Sequence, residues 1–209
     1  MKFIALQLAL LALGGSIARA QSLPNAPSET FRSTSQYQPI TGDQRLHWFV
    51  NNTVGPETLA VGLFSAGLGT ARDKPVEYGP HWEGFSKRYG MRLTGVSVGN
   101  AMEAGLGALW GEDPRYFPDI GGTFKDRIRH VLVMAFVAHD RQGNPMPAYA
   151  RYISTPGNNF LSNTWRAPSE STNGAAALRT LWGFVGLMGK NAFVEFWPDV
   201  QTHLPHRKR

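Results

Sequence analysis

Glycine recurs at helical spacing inside three separate apolar segments, and this repeat constrains the chain more than any other feature. A glycine within a helix costs up to about 1 kcal/mol relative to alanine, so a repeated glycine face implies a close neighbour that offsets the loss. In one segment Gly62, Ser65, Ala66 and Gly69 share a face; in a second, Gly95, Gly99 and Gly107 do; in a third, Gly183 and Gly186 do. The expectation is an all-α fold, a compact bundle of about five Gly/Ala-rich helices packed through these stripes.

The helices can be placed by their punctuation. A short one is expected at about 43–51, with Asp43 as N-cap. A second starts at Pro56 and continues through Leu59, Leu63 and Ala66 to about Arg72, where Lys74-Pro75 stops it. The third covers 81–110, with a break near Gly90 and an end at Gly111 and Asp113-Pro114. The fourth begins near Thr123 and takes in the apolar run 131–138. The fifth covers 173–196 and stops at Pro198. Residues 141–170 read as irregular, with no strand expected anywhere.

At the N-terminus, Met1-Lys2, an apolar run over 3–13 and the triplet Ala18-Arg19-Ala20 form the pattern of a cleaved signal peptide over 1–20. Residues 21–44 are rich in Ser, Thr, Gln and Pro and read as a flexible, disordered polar leader, so the helical domain is expected at 45–200. Loss of Lys2 and Arg19 takes 21 cations to 19 against 15 anions, a net charge of +4. Without a clustered basic stripe, nucleic acid is not an expected partner. The chain has no cysteine, so the core must hold by packing alone. Residues 201–209, ending HLPHRKR, form a basic tail suited to an electrostatic tether on anionic headgroups.

Small-residue stripes serve tightly packed bundles in water and, more characteristically, helices packed in or on membranes. Trp82, Trp110, Tyr116, Phe117 and Trp197 fall near segment ends, as interfacial aromatics do. Only 14 uncharged positions run from 58 to 71, and Glu103 interrupts 93–111, so peripheral or hairpin-like membrane association fits better than repeated crossings. Glu103 lies on the Gly95/Gly99 stripe and Arg179 on the Gly183/Gly186 stripe, which predicts that the two meet as a structural ion pair.

No hydrolase elbow, zinc-protease signature, phosphate loop or dinucleotide fingerprint is present. The available acid/base candidates are His130, His139 and Asp140, together with Glu112 and Asp113. Nine residues of helix would hold the two histidines about 13 Å apart, so no metal site or cofactor is expected. Residues 112–118 (EDPRYFP) and 195–199 (EFWPD) each follow or end a helix and mix charges with aromatics, a composition suited to clamping bundle ends. Residues 155–165 suit a third clamp or a ligand loop.

The segments QSLPNAPS, GEDPRYFP and NAFVEFWPD resemble a group of exported proteins of soil-dwelling bacteria. The likeness covers most of the chain beyond residue 20 and implies no activity and no catalytic residue. The expected function is therefore that of an exported cell-envelope protein, non-enzymatic and membrane-associated, partnered by a membrane surface or another envelope component. The alternatives are an envelope hydrolase or transferase acting on lipid or cell-wall material, and a carrier of a small apolar ligand.

Overall fold

The computed structural model of the protein describes residues 37–119 and 121–203. The expected signal peptide, the leader up to residue 36 and tail residues 204–209 lie outside the described residues. Within them the elements are α1 (Gly42–Val54), α2 (Pro56–Ala71), α3 (His81–Trp110), α4 (Phe124–Val133), β1 (Val137–His139), β2 (Pro145–Pro147), α5 (Tyr149–Leu161) and α6 (Asn173–His203). The all-α reading holds, with one small antiparallel hairpin added.

Local chemistry explains the boundaries. Thr41, not Asp43, caps α1: its hydroxyl accepts the Gln44 N–H while the Gln44 side chain accepts the Thr41 N–H, at 3.2 and 3.1 Å. Pro56 sits in the first turn of α2, and Gly111 ends α3 in the left-handed conformation at φ 83°. The break expected at Gly90 is absent, since α3 is continuous from 81 to 110.

Pairwise contacts define the chain path. Antiparallel to α3 run α1 and α2, with Asn100 bonded to Thr53, Gly62 facing the Tyr89 ring and Gly69 facing Arg88. Helix α5 also runs antiparallel to α3, joined by Arg151 on Glu103 and Asn158 against Gly99. Helix α6 returns antiparallel to α5, with Thr155 beside Gly183 and Asn159 accepting from Arg179. The result is an up-and-down bundle whose α3–α5 interface is the most extensive. Helix α4 and the hairpin sit where α3 and α6 end.

Three expectations need correction. The run 131–138 does not stay helical: α4 ends at Val133, and 137–139 becomes a strand because the His139 carbonyl accepts the Asp113 N–H while Ala138 pairs with Met146. Residues 149–161 form a helix despite Pro156, because burying Ala150, Arg151 and Ser154 against α3 outweighs the turn-forming composition. Helix α6 continues past Pro198 to His203, where Arg127 grips Glu195 on one side of the proline and Asp199 on the other.

The glycine stripes pack, but against long side chains more than against backbone. A Cβ at Gly62 would stand 3.0 Å from the Tyr89 ring, at Gly69 3.0 Å from Arg88 Cδ, at Gly95 3.7 Å from Arg166 and at Gly99 3.1 Å from Asn158. At Gly107 it would meet Arg45 at 2.8 Å, and at Gly183 the Thr155 methyl at 3.1 Å. Gly186 is the exception: it has open space where a packed neighbour was expected. Gly186→Ala should therefore raise Tm by about 2–4 °C, through helix propensity alone. Gly84→Ala should lower it by more, since its Cβ would fall 1.7 Å from the Gly79 carbonyl oxygen. Circular-dichroism melts of the two variants check both signs.

Candidate functional site

The interior is polar. Apart from Val131 and Met134 its buried apolar residues are alanines, while Glu112, Asp113 and Glu195 are among its largest fully buried side chains. Buried carboxylates are costly unless hydrogen-bonded, so each should have dedicated donors.

At the end of α3, Gly111 turns the chain and delivers Glu112 inward, where its Oε2 accepts the Trp110 indole N–H at 3.0 Å and the Ala150 N–H at 2.9 Å. Its Oε1 is buried without a hydrogen-bond partner among the described residues. Arg45 donates to the Ala104 and Glu112 carbonyls, which ties α1 to the end of α3 and to the turn that follows it. Asp113 takes a three-pronged grip from Arg115, at 2.7 to 3.0 Å, and a bond from the Tyr37 hydroxyl at 2.9 Å. Burial and that bond push the Tyr37 pKa up to about 12, which keeps it a donor. Tyr37 and Gln38, expected in the flexible leader, are thus held: Arg115 also bonds the Gln38 carbonyl at 2.8 Å.

The histidines join this cluster as packing elements. His139 packs against both the Tyr37 and Phe117 rings, with centroids 5.8 and 5.4 Å away, and burial pushes its pKa below the ordinary histidine value. His130 meets the Phe117 carbonyl at 2.9 Å, and a carbonyl only accepts, so Nε2 carries the proton. Asp140 stands apart in the exposed turn of the hairpin. It accepts the Gln142 and Asn144 N–H groups, and these donors, Asn144 first, hold its pKa low against a small opposing effect of burial. Four of the five acid/base candidates therefore gather at one end of the bundle: Asp113 and His130 are held by structural bonds, while Glu112 Oε1 and His139 Nδ1 are buried without a hydrogen-bond partner among the described residues. Among the described residues no three His, Asp or Glu side chains converge as metal ligands would.

A second clamp closes the same end. Glu195 accepts from Tyr116 at 2.6 Å, from the Asp119 N–H at 3.1 Å and from Arg127 at 2.9 Å. Arg127 also stacks over the Phe196 ring at 4.5 Å. Burial alone would raise the Glu195 pKa, but the bonds from Tyr116, Arg127 and Asp119 outweigh it and hold the carboxyl below the usual range.

Glu103 does not meet Arg179. It pairs with Arg151 at 3.0 Å, both side chains nearly buried, and Arg151 also donates to the Met134 and Ala135 carbonyls. Arg179 instead bonds the Glu170 and Asn159 carbonyls and the Asn163 side chain. The turn-forming composition of residues 141–170 hides the helix that carries Arg151, which leaves α6 as the nearest cationic face in the sequence. Arg151, a lone charge inside YARYI, was the available signal, since a cation flanked by aromatics and aliphatics on a helix has an inward partner to find.

Compared with models of known protein families, with curated proteins and with solved structures, the chain matches none.

Two measurements check these assignments. Glu103→Gln and Arg151→Met should each cost about 3 kcal/mol or more, and the pair should couple strongly in a double-variant cycle, whereas Glu103→Gln and Arg179→Met should add within about 0.5 kcal/mol. Glu195 has a folded pKa below its free value of 4.5, so its contribution is complete above that pH and is lost as the pH falls below it. Acid titration should therefore weaken the fold below about pH 4.5, and Glu195→Gln, less stable at neutral pH, should show a flatter acid limb.

Proposed function

We propose that this chain is an exported, non-enzymatic protein of the bacterial envelope that associates with a membrane by laying apolar faces against lipid. The observation that carries the reading is the inverted distribution of side chains. Phe64, Trp82, Leu109 and Phe124 are 73–77 % exposed, and Leu181 and Trp182 about two-thirds exposed, while Glu112, Asp113 and Glu195 are at most 1 % exposed. In a water-soluble protein the informative departures are buried polar groups and broad exposed apolar surface, and both occur here together.

The pattern repeats on four helices. Over 58–71 of α2, 88–110 of α3, 149–161 of α5 and 174–198 of α6, no exposed residue is charged. Every charge in those stretches, namely Arg88, Arg92, Glu103, Arg151, Arg179, Lys190 and Glu195, is buried or half-buried. Most exposed charges gather around 72–87 and around 125–141, with Asp43, Glu57 and Asp199 as the others among the described residues. A protein partner covers one side, whereas acyl chains suit apolar faces on several helices at once. No helix among the described residues is long and apolar enough to cross a membrane, because each combines an outward apolar face with inward charges and glycines. The hydrogen bonds that hold His130, Asp113 and Asp140 in structural roles support the non-enzymatic part of the reading.

Cell fractionation of a C-terminally tagged protein tests it. The expected outcome is recovery in the membrane pellet through high salt and alkaline carbonate, with release by detergent. Release by salt alone would assign attachment to the basic tail and overturn the role of the apolar faces. Recovery as a soluble exported oligomer would mean that a second copy covers those faces, and a soluble monomer would bring forward the ligand-carrier and hydrolase alternatives.

A further inference from the structure

At the end of the bundle where α3 and α6 begin, a cavity of about 310 Å³ is lined by Lys74, Arg88, Arg92, Arg166 and Arg179 with one carboxylate, Glu170. Five cations against one anion leave a surplus of four; Asp73, which pairs with Arg88 from outside the lining at 3.3 Å, reduces it to three. Like charges gathered in a partly buried site repel, and among the described residues no carboxylate but Glu170 lines the site.

The five cations are not equivalent. Arg88 is fully spent holding the 73–79 turn: it donates to the Lys74, Pro75 and Gly79 carbonyls and to Asp73 and Thr70. Arg166 uses Nε on the Ser162 hydroxyl and Nη1 on Glu170, leaving Nη2. Arg179 commits both terminal nitrogens, while its Nε is buried without a hydrogen-bond partner among the described residues. Arg92 has no hydrogen bond or ion pair to any described residue, and burial followed by the nearby charge of Arg166 pushes its pKa below the ordinary arginine value. The Tyr78 hydroxyl accepts the Ala167 N–H at 3.3 Å and keeps its own proton to give.

We infer that this cavity binds a phosphate group, held chiefly by Arg92 with the free nitrogens of Arg166 and Arg179 and the Lys74 ammonium. A tetrahedral oxyanion with several acceptor oxygens suits guanidinium forks approaching from α3, α6 and the 162–170 turns, and the volume admits a small headgroup but not a large ligand. Exposed Lys74 and Lys87 and the uncharged faces that begin beyond this rim place the cavity where either a lipid phosphate or a free phosphate ion reaches it. The inference stands on the charge imbalance and does not depend on membrane association.

The test uses the full-length chain in an uncharged detergent and its Arg92→Gln variant. Arg92 makes no hydrogen bond or ion pair to another described residue, and glutamine keeps the part of its stem that lies beside Gly62, so the variant should fold and, in phosphate-free buffer, should melt at or above the parent temperature because one repulsion is gone. Inorganic phosphate at millimolar concentration should raise the parent Tm, with the response weakened at least about tenfold in Arg92→Gln. If inorganic phosphate has no effect but vesicles of phosphatidylcholine with phosphatidic acid bind more tightly than phosphatidylcholine alone, and Arg92→Gln removes that difference, the ligand is the lipid headgroup. Responses to both probes that are absent, or that Arg92→Gln leaves unchanged, would overturn the site, as would a clear loss of Tm for the variant without phosphate. Binding of both proteins to plain phosphatidylcholine reads membrane association separately.

Discussion

The bundle is organised around the ion pair between Glu103 and Arg151. It lies at the α3–α5 interface, the most extensive in the molecule, with both side chains nearly buried. Arg151 carries the connection onward to the Met134 and Ala135 carbonyls, which fixes the end of α4 and so the start of the hairpin. Lys190 on α6, bonded to Asn52 on α1, lies within electrostatic reach of Glu103 and extends the polar axis across α1, α3, α5 and α6. A buried pair of this kind contributes little net attraction, since desolvation offsets most of it, but it is unforgiving of misalignment. Its effect is to specify register, a task that alanine and glycine surfaces leave open.

That arrangement explains why so many glycines are needed. An arginine or glutamate that must lie between two helices requires a gap, and a missing Cβ provides it: Gly69 makes room for Arg88, Gly95 for Arg166 and Gly107 for Arg45. The stripes therefore seat polar side chains more than they bring backbones together, with Gly99 against Asn158 as the same device in uncharged form. With polar groups drawn inward, the large apolar residues are left on the outside. Interior and exterior are two faces of one allocation, and the proposed lipid contact follows from it without any single long apolar helix.

The two ends of the bundle differ in how their charges are balanced. Where α3 and α6 finish, carboxylates are matched by donors: Asp113 by Arg115 and Tyr37, Glu195 by Tyr116 and Arg127. Where the same helices begin, cations outnumber their partners and Arg92 has none among the described residues. The first end holds Asp113 and Glu195 as a structural clamp, although Glu112 Oε1 and His139 Nδ1 stay without hydrogen-bond partners among the described residues, and the second end carries the surplus of cations.

Local rules by themselves determined the helical class, the starts of α2 and α3 and the stop at Gly111, because proline, glycine and the 3.6-residue period act over a few neighbouring residues. They also marked EDPRYFP and EFWPD as end clamps, although not what those clamps grip. Tertiary structure decided the rest. It made a helix of 149–161, turned 137–139 into a strand, carried α6 past Pro198 and gave Glu103 to Arg151 in place of Arg179. In each case the deciding partner is distant in sequence: Asp113 for His139, Arg127 for Glu195 and Asp199, α3 for α5. The cavity of unmatched arginines was illegible for the same reason, since Lys74, Arg92, Arg166 and Arg179 meet only when four separate stretches of chain are folded together. Composition counts charges, but only the fold decides which of them are left without a partner.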